Sequence, residues 1–224
     1  METDICRIYC AEVTPLSDPE CFADALSQMP AYRKRKVLSL RHAESQRLSL
    51  GVGLLLVLAL ESCGVEARTA AFAEGTYGKP YLPAYPEIQF SLSHSGIWAM
   101  CAVCDEPVGC DVERAGRGSE RLARRFFHPA EQAALAAAGE DTARDNLFTR
   151  LWTRKESYIK ARGEGLSLPL DSFSALADGP DVHYAEAELM PGYRFSCCVL
   201  GKARAVQWHQ IPLGTLLLSR RGKG

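Results

Sequence analysis

The apolar run over residues 48–60 constrains the fold of this 224-residue chain more than any other stretch. It is broken only by Ser49, Gly51 and Gly53. A bilayer crossing needs about 20 apolar residues, so a run of 13 is too short to span one. It reads instead as the end of a helix over 39–61, apolar on most faces, and such a helix has to be buried in protein. The chain is long enough to bury it, as one large domain or as two small ones with a core each.

Apolar residues make up 47% of the chain and charged residues 24%, an ordinary globular composition. A formal net charge of −1 supplies no global attraction to nucleic acid or to a membrane surface. Nine cysteines are many for this length. One Cys101-x-x-Cys104 pair with no second pair at zinc-finger spacing, plus adjacent Cys197 and Cys198, makes neither a metal nor a disulfide framework. Cys6, Cys10, Cys101 and Cys104 sit in apolar strand-like runs, where free cysteine acts as a small buried hydrophobe. Reduced thiols imply a reducing compartment, hence a cytoplasmic location. Glu2 and Asp4, with no long apolar core beside them, read against a leader peptide.

In chain order, 5–13 reads as a strand and 19–26 as a short helix. Strands at 88–92 and 97–103 flank a Ser93-His94-Ser95-Gly96 turn. A strand at 108–113 and a helix from Pro129 to 138 follow. A further helix over 142–162 ends at Gly163-Glu-Gly165, and an extended stretch at 166–175 leads to strands at 193–200 and 205–211. The tail, 219–224, reads as frayed. Both halves run from helix-rich sequence into short strands, with 104–107 as the joint. The expected fold is α+β, two similar subdomains over 1–105 and 106–224, with the active site at their interface.

Two stretches carry the chemistry, Val108-Gly-Cys-Asp-Val-Glu113 and Trp152-Thr-Arg-Lys-Glu-Ser-Tyr-Ile-Lys160. On a strand, Asp111 and Glu113 project the same way; on a helix, Glu156 and Lys160 share a face. Read singly, each acid is most simply a solvated surface charge. Together, three carboxylates and an ammonium suit a hard divalent cation with a bound phosphate, since Mg²⁺ takes a few carboxylates plus phosphate oxygens. Arg33, Lys34, Arg35 and Lys36, with Arg47 before the apolar run, form either a solvated helix face or an anion clamp. The turn Gly75-Thr-Tyr-Gly-Lys-Pro-Tyr81 can present backbone atoms and Lys79 to a planar base or a phosphate. His94 reads as an anion ligand or a structural hairpin histidine. No G-x-S-x-G elbow is present, and adjacent residues of a turn make a poor nucleophile–base pair. Five arginines within 114–125 form the sharpest basic patch, either plain surface or a docking face for an acidic partner.

An ordered set of motifs resembles the Sfp-type 4′-phosphopantetheinyl transferases. These are Tyr77-Gly-Lys-Pro80, Phe90-Ser-Leu-Ser-His-Ser-Gly96, Val108-Gly-Cys-Asp-Val-Glu113 and Arg125-Phe-Phe-His-Pro-Ala-Glu131. Leu151-Trp-Thr-Arg-Lys-Glu-Ser-Tyr-Ile-Lys160 and Gly163-Glu-Gly-Leu-Ser-Leu-Pro-Leu-Asp-Ser-Phe173 complete the set, which spans roughly 30 to 200. The resemblance implies a monomer of two α+β halves that moves the phosphopantetheine arm of coenzyme A onto a carrier-protein serine, releasing 3′,5′-ADP. It implies that Asp111, Glu113 and Glu156 are Mg²⁺ ligands, and that Lys160 meets the coenzyme phosphates, with Lys155 beside the ligand glutamate. It implies that Glu131 or Glu156 deprotonates the serine. Ser93 and His94 match phosphate contacts, and Tyr77, Gly78, Lys79 and Pro80 match an adenine-side loop. Tyr32 and Arg35 align where two family lysines meet the 3′-phosphate, with Arg33, Lys36 and Arg47 as substitutes. An acidic carrier helix would dock on Arg117, Arg121, Arg124 and Arg125. A non-catalytic coenzyme A or nucleotide-binding relative is the alternative; a nucleic-acid binder lacks an aromatic platform.

Overall fold

The computed structural model describes residues 4–116 and 118–214. Strand β1 (Ile5–Glu12) opens the chain and is buried on both faces, which its run of Ile, Cys, Tyr and Ala permits. Three helices follow: α1 (Pro19–Ser27), α2 (Ala31–Ser39) and α3 (Ala43–Ser62). The expected helix over 39–61 starts later, at Ala43, and is separate from α2, because Leu40 turns extended at φ −79° and ψ 137° and Gln46 caps its carbonyl at 2.8 Å. At 20 residues α3 is long and apolar enough to cross a membrane, but it is packed against the first sheet and the neighbouring helices. Its glycines are what let it pack closely. A Cβ on Gly51 would lie 2.4 Å from Val13 Cγ1, and one on Gly53 2.8 Å from Met29 Sδ.

A small hairpin, β2 (Ala73–Glu74) and β3 (Pro80–Tyr81), precedes β4 (Gln89–Ser95) and β5 (Trp98–Cys104). Strand β4 runs on through Ser95, so Ser93, His94 and Ser95 are strand residues. The reversal is carried by Gly96, at φ +58°, and Ile97. The second half comprises β6 (Val108–Arg114), α4 (Glu120–Phe126), α5 (Pro129–Ala137) and α6 (Asp141–Arg162). Short 3₁₀ turns at Gly165–Ser167 and Leu170–Ser172 replace the extended stretch expected there. Strands β7 (Val182–Ala187), β8 (Tyr193–Leu200) and β9 (Ala205–Gln210) complete it.

The first sheet has the order β4-β5-β1-β9 and the second β6-β8-β7. Both halves therefore repeat one path: a strand, helices, then two antiparallel strands of which the second pairs with the first. The division at 105/106 is crossed by β9, which pairs parallel with β1 in the first sheet. α3 covers one face of the first sheet and α6 one face of the second. The remaining faces meet in a core built from Ile8, Cys10, Trp98 and Met100 on one side and Cys110, Val112, Phe195 and Cys197 on the other. That sheet-on-sheet contact fixes the halves against each other and aligns the edges of β4 and β6.

Candidate active site

The edges of β4 and β6 meet through serine hydroxyls. Every second residue of Ser91-Leu-Ser-His-Ser95 points at β6, as strand alternation requires. Ser91 Oγ accepts from the Cys110 amide at 3.1 Å, Ser93 Oγ from Val112 at 3.4 Å and Ser95 Oγ from Arg114 at 3.4 Å. Two of these hydroxyls also donate to the acids: Ser93 to Asp111 Oδ1 at 2.7 Å, Ser95 to Glu113 Oε2 at 2.8 Å. The hydroxyls thus join the two strands and orient the carboxylates in one step.

Helix α6 crosses β6 at Gly109, where an added Cβ would lie 1.9 Å from the Ser157 carbonyl oxygen and 2.4 Å from the Ala161 nitrogen. This close approach brings Glu156 and Lys160 to Asp111 and Glu113. Lys160 Nζ donates to Asp111 Oδ1 at 2.7 Å and to Ser93 Oγ at 3.0 Å. Burial works against its ammonium, but Asp111 and the neighbouring Cys110 and Glu156 raise its pKa overall. Glu156 is pushed above the ordinary carboxylate range by burial and by the charges of Asp111 and Glu113. Glu113 is pushed up by burial and Asp111, against the pull of its Ser95 bond.

Two adjoining cavities, of about 410 and 420 Å³, share Lys36, Leu92, Glu156 and Lys160 and so form one groove along the seam. One end is walled by Tyr77, Gly78, Lys79 and Pro80 with Gly163 and Gly165. The other holds Arg33, His94, Asp111, Glu113 and Trp152. A larger cavity of about 770 Å³ is lined by Glu12, Thr14, Pro15 and residues 210–214, and Glu12 is its only charged lining residue among the described residues.

Fit to a cation can be judged from the acids themselves. Asp111 Oδ2 is buried with no hydrogen-bond partner, and the pKa values of Glu113 and Glu156 are raised by burial and by their acidic neighbours. Among the described residues no three acidic, His or Cys groups already stand as a cation cage, and Lys160 occupies Asp111 Oδ1. The donor set is of hard oxygens and suits Mg²⁺.

The remaining expected site residues divide between the groove and other places. Arg35 is exposed and Arg47 half-buried, and neither lines the groove. Arg33 and Lys36 do line it. His94 lines it too, from the opposite side of β4 to the serines, and burial and Lys160 push its pKa down. Glu131 is a correction. It is fully buried, pairs with Lys155 at 2.8 Å and accepts from the His128 amide at 2.8 Å and the Ala175 amide at 2.6 Å. It closes a capping box at the start of α5 and lies outside the groove. Lys155 is a second correction. Successive helix residues point about 100° apart, so when Glu156 faces the groove Lys155 faces the interior. There its ammonium donates to the Leu170 and Phe173 carbonyls at 2.7 Å each and lies 4.2 Å from the Phe173 ring centroid. Arg117 is outside the described residues.

A family model described as the 4′-phosphopantetheinyl transferase superfamily matches residues 107–212. The 4′-phosphopantetheinyl transferase Sfp of Bacillus subtilis (strain 168) is 37% identical over 179 residues, covering 74% of this chain and 80% of that protein. The chain belongs to the 4′-phosphopantetheinyl transferase family. A second Bacillus subtilis 4′-phosphopantetheinyl transferase is 41% identical over 150 residues, 66% of either chain. A third, ffp, is 36% identical over 198 residues, 82% of this chain and 87% of that one. Within this transferase the site adds residues that sequence reasoning left out: Ser91, Ser95, Gly109, Trp152, Gly163 and Gly165. The serines were legible as alternation in Ser-Leu-Ser-His-Ser, had that stretch been taken as strand throughout.

Proposed function

We propose that this transferase moves the 4′-phosphopantetheine arm of coenzyme A to a serine of an apo acyl or peptidyl carrier protein, releasing 3′,5′-ADP. The observation that carries the reading is the groove itself. It joins a loop of backbone donors and acceptors at 77–80 to a cluster of three acids and Lys160, over a length both halves must supply.

The carrier serine oxygen forms a bond to the phosphorus bearing the pantetheine arm, and that phosphorus loses its bridging oxygen to 3′,5′-ADP. Two groups must be managed, the serine proton and the charge on the leaving oxygen. Of the two candidate bases, Glu156 lines the groove and has a raised affinity for protons, whereas Glu131 is sealed in an ion pair. Lys160, at the shared wall of both cavities, balances the charge of the diphosphate and of the departing oxygen. Asp111, Glu113 and Glu156 would hold Mg²⁺, which when bound supplies neutralisation of the diphosphate. The nucleophile arrives with the partner. Ser93 is unsuited to the task, its hydroxyl being held between Asp111 and Lys160.

Arg33 and Lys36 line the groove, and we assign the 3′-phosphate to them. Arg33 is 2% exposed, donates through Nη2 to the Ser49 carbonyl, and keeps Nε without a partner. Arg121, Arg124 and Arg125 are exposed on α4 and offer the docking face for an acidic carrier helix. We place the reaction in the cytoplasm, on a monomer. Nine free cysteines support the first and a groove built from one chain supports the second.

Incubation with coenzyme A, Mg²⁺ and a panel of apo carrier proteins tests the proposal by intact mass. Gain of one phosphopantetheinyl group is expected. Coenzyme A binding without transfer to any carrier would leave a binding protein in its place.

A further inference from the structure

A lysine in a groove for a phosphorylated coenzyme is ordinarily taken for a phosphate ligand, and Lys79 lies in such a groove. Its ammonium is engaged otherwise. Nζ donates to the Val108 carbonyl at 3.0 Å and to the Ala161 carbonyl at 3.3 Å. Val108 is the first residue of β6, and Ala161 belongs to the last turn of α6. The last four carbonyls of a helix lack a partner within it, and a cation there also meets the negative end of the helix dipole. The aliphatic stem of Lys79 lies over the helix cap. A Cβ at Gly163, which takes the left-handed φ of +69° that ends α6, would sit 3.2 Å from Lys79 Cδ.

We infer that Lys79 is a positioning residue whose ammonium ties the 75–80 turn of the first half to the end of α6 in the second, and that it makes no phosphate contact. Among the described residues no carboxylate lies within ion-pair distance of it, so it faces carbonyl dipoles alone. Burial accordingly pulls its pKa down to about 8. To reach a phosphate, Nζ would have to abandon both carbonyls.

The consequence concerns the span of the groove. The turn is one end of the groove, and Glu156 and Lys160 sit within about one and a half turns of Ala161 on the same helix. Lys79 thereby sets the distance between the loop end and the acid end. The turn brings its own rigidity, with the Gly75 amide donating to the Lys79 carbonyl and the Gly78 amide to the Gly75 carbonyl, each at 2.9 Å. It therefore moves as a unit, and Lys79 anchors that unit.

The inference rests on the groove being the coenzyme A site, and the experiment separates the two. Lys79→Met and Lys79→Arg are compared with the natural protein, using coenzyme A and 3′-dephospho-coenzyme A as co-substrates. Amide hydrogen exchange over 75–81 is followed without any ligand. For Lys79→Met, KM should rise about tenfold for both co-substrates alike, roughly the worth of one hydrogen bond. kcat should hold within about twofold, on the same reasoning that the lost contact is equal in ground and transition states. Exchange over 75–81 should quicken, and Lys79→Arg, which keeps donors for both carbonyls, should restore most of KM and of protection. A loss confined to coenzyme A would show contact with the 3′-phosphate and overturn the inference. Unchanged exchange in Lys79→Met, whatever the kinetics, would overturn it as well. Failure of the natural protein to use either co-substrate would instead overturn the transferase reading.

Discussion

Gly109→Ala is the sharpest single perturbation of the seam. The new Cβ would stand 1.9 Å from the Ser157 oxygen, where ordinary contact begins at 3.4 Å, so helix and strand must part by about 1.5 Å locally. Overpacking commonly costs about 1–3 kcal/mol. Here the obstructing atoms are backbone oxygen and nitrogen, which no rotamer change can move, so the cost should reach about 3 kcal/mol. The same displacement carries Glu156 and Lys160 away from Asp111 and Glu113. A shift of about 1 Å in a catalytic array costs on the order of 100-fold in rate. Urea denaturation gives the first quantity and single-turnover transfer to a carrier gives the second. A Gly109→Ala protein within about 1 kcal/mol of the natural one and within about twofold of its rate would refute the claim that α6 rests on β6 at this residue.

Three further outcomes follow from the same contacts. Glu131→Gln leaves Lys155 buried without its countercharge and should cost about 3–5 kcal/mol of stability, while kcat of the folded protein, measured in the cold, stays within about twofold; the reverse pattern would restore Glu131 as the base. Ser95→Ala removes the bond that holds Glu113 down. Because Glu113 and Glu156 must be ionised to hold a cation and both already titrate above the ordinary range, the acid limb of the rate profile should move to higher pH. The Mg²⁺ concentration for half-maximal rate should rise about tenfold as well. Arg121→Glu with Arg124→Glu should raise the carrier KM and weaken its salt dependence while leaving the KM for coenzyme A alone, a split visible in steady-state kinetics.

Much of the site was legible because two periodicities did the placing. Period two put Asp111 and Glu113 on one face of β6, and a spacing of four put Glu156 and Lys160 on one face of α6. The same periodicity excludes Lys155 from that face. Glu131 was readable as a helix-start carboxylate from His128-Pro-Ala-Glu131; its Oε2 makes the capping bond to the His128 amide, and its Oε1 accepts from the Ala175 amide. Other features left little trace. In α4 the apolar Leu122, Ala123 and Phe126 are interspersed with Arg121, Arg124 and Arg125, so a run of arginines hid a helix. β7 is half-buried at most positions with no clean alternation. β9 looks like any short strand, and nothing in its residues says that it joins β1 rather than β8. The break between α2 and α3 has neither glycine nor proline to announce it. Such features are decided by tertiary packing, which a local pattern does not encode.

The central claim is that the serine-joined seam holds the diphosphate of coenzyme A and its cation. A crystal structure of the complex with coenzyme A and Mn²⁺, read from anomalous scattering, tests it most directly. The account predicts one metal peak among Asp111, Glu113 and Glu156, with the diphosphate beside Lys160 and the adenine against Tyr77–Pro80. A metal peak away from these acids, or a coenzyme lying outside the groove, would contradict it.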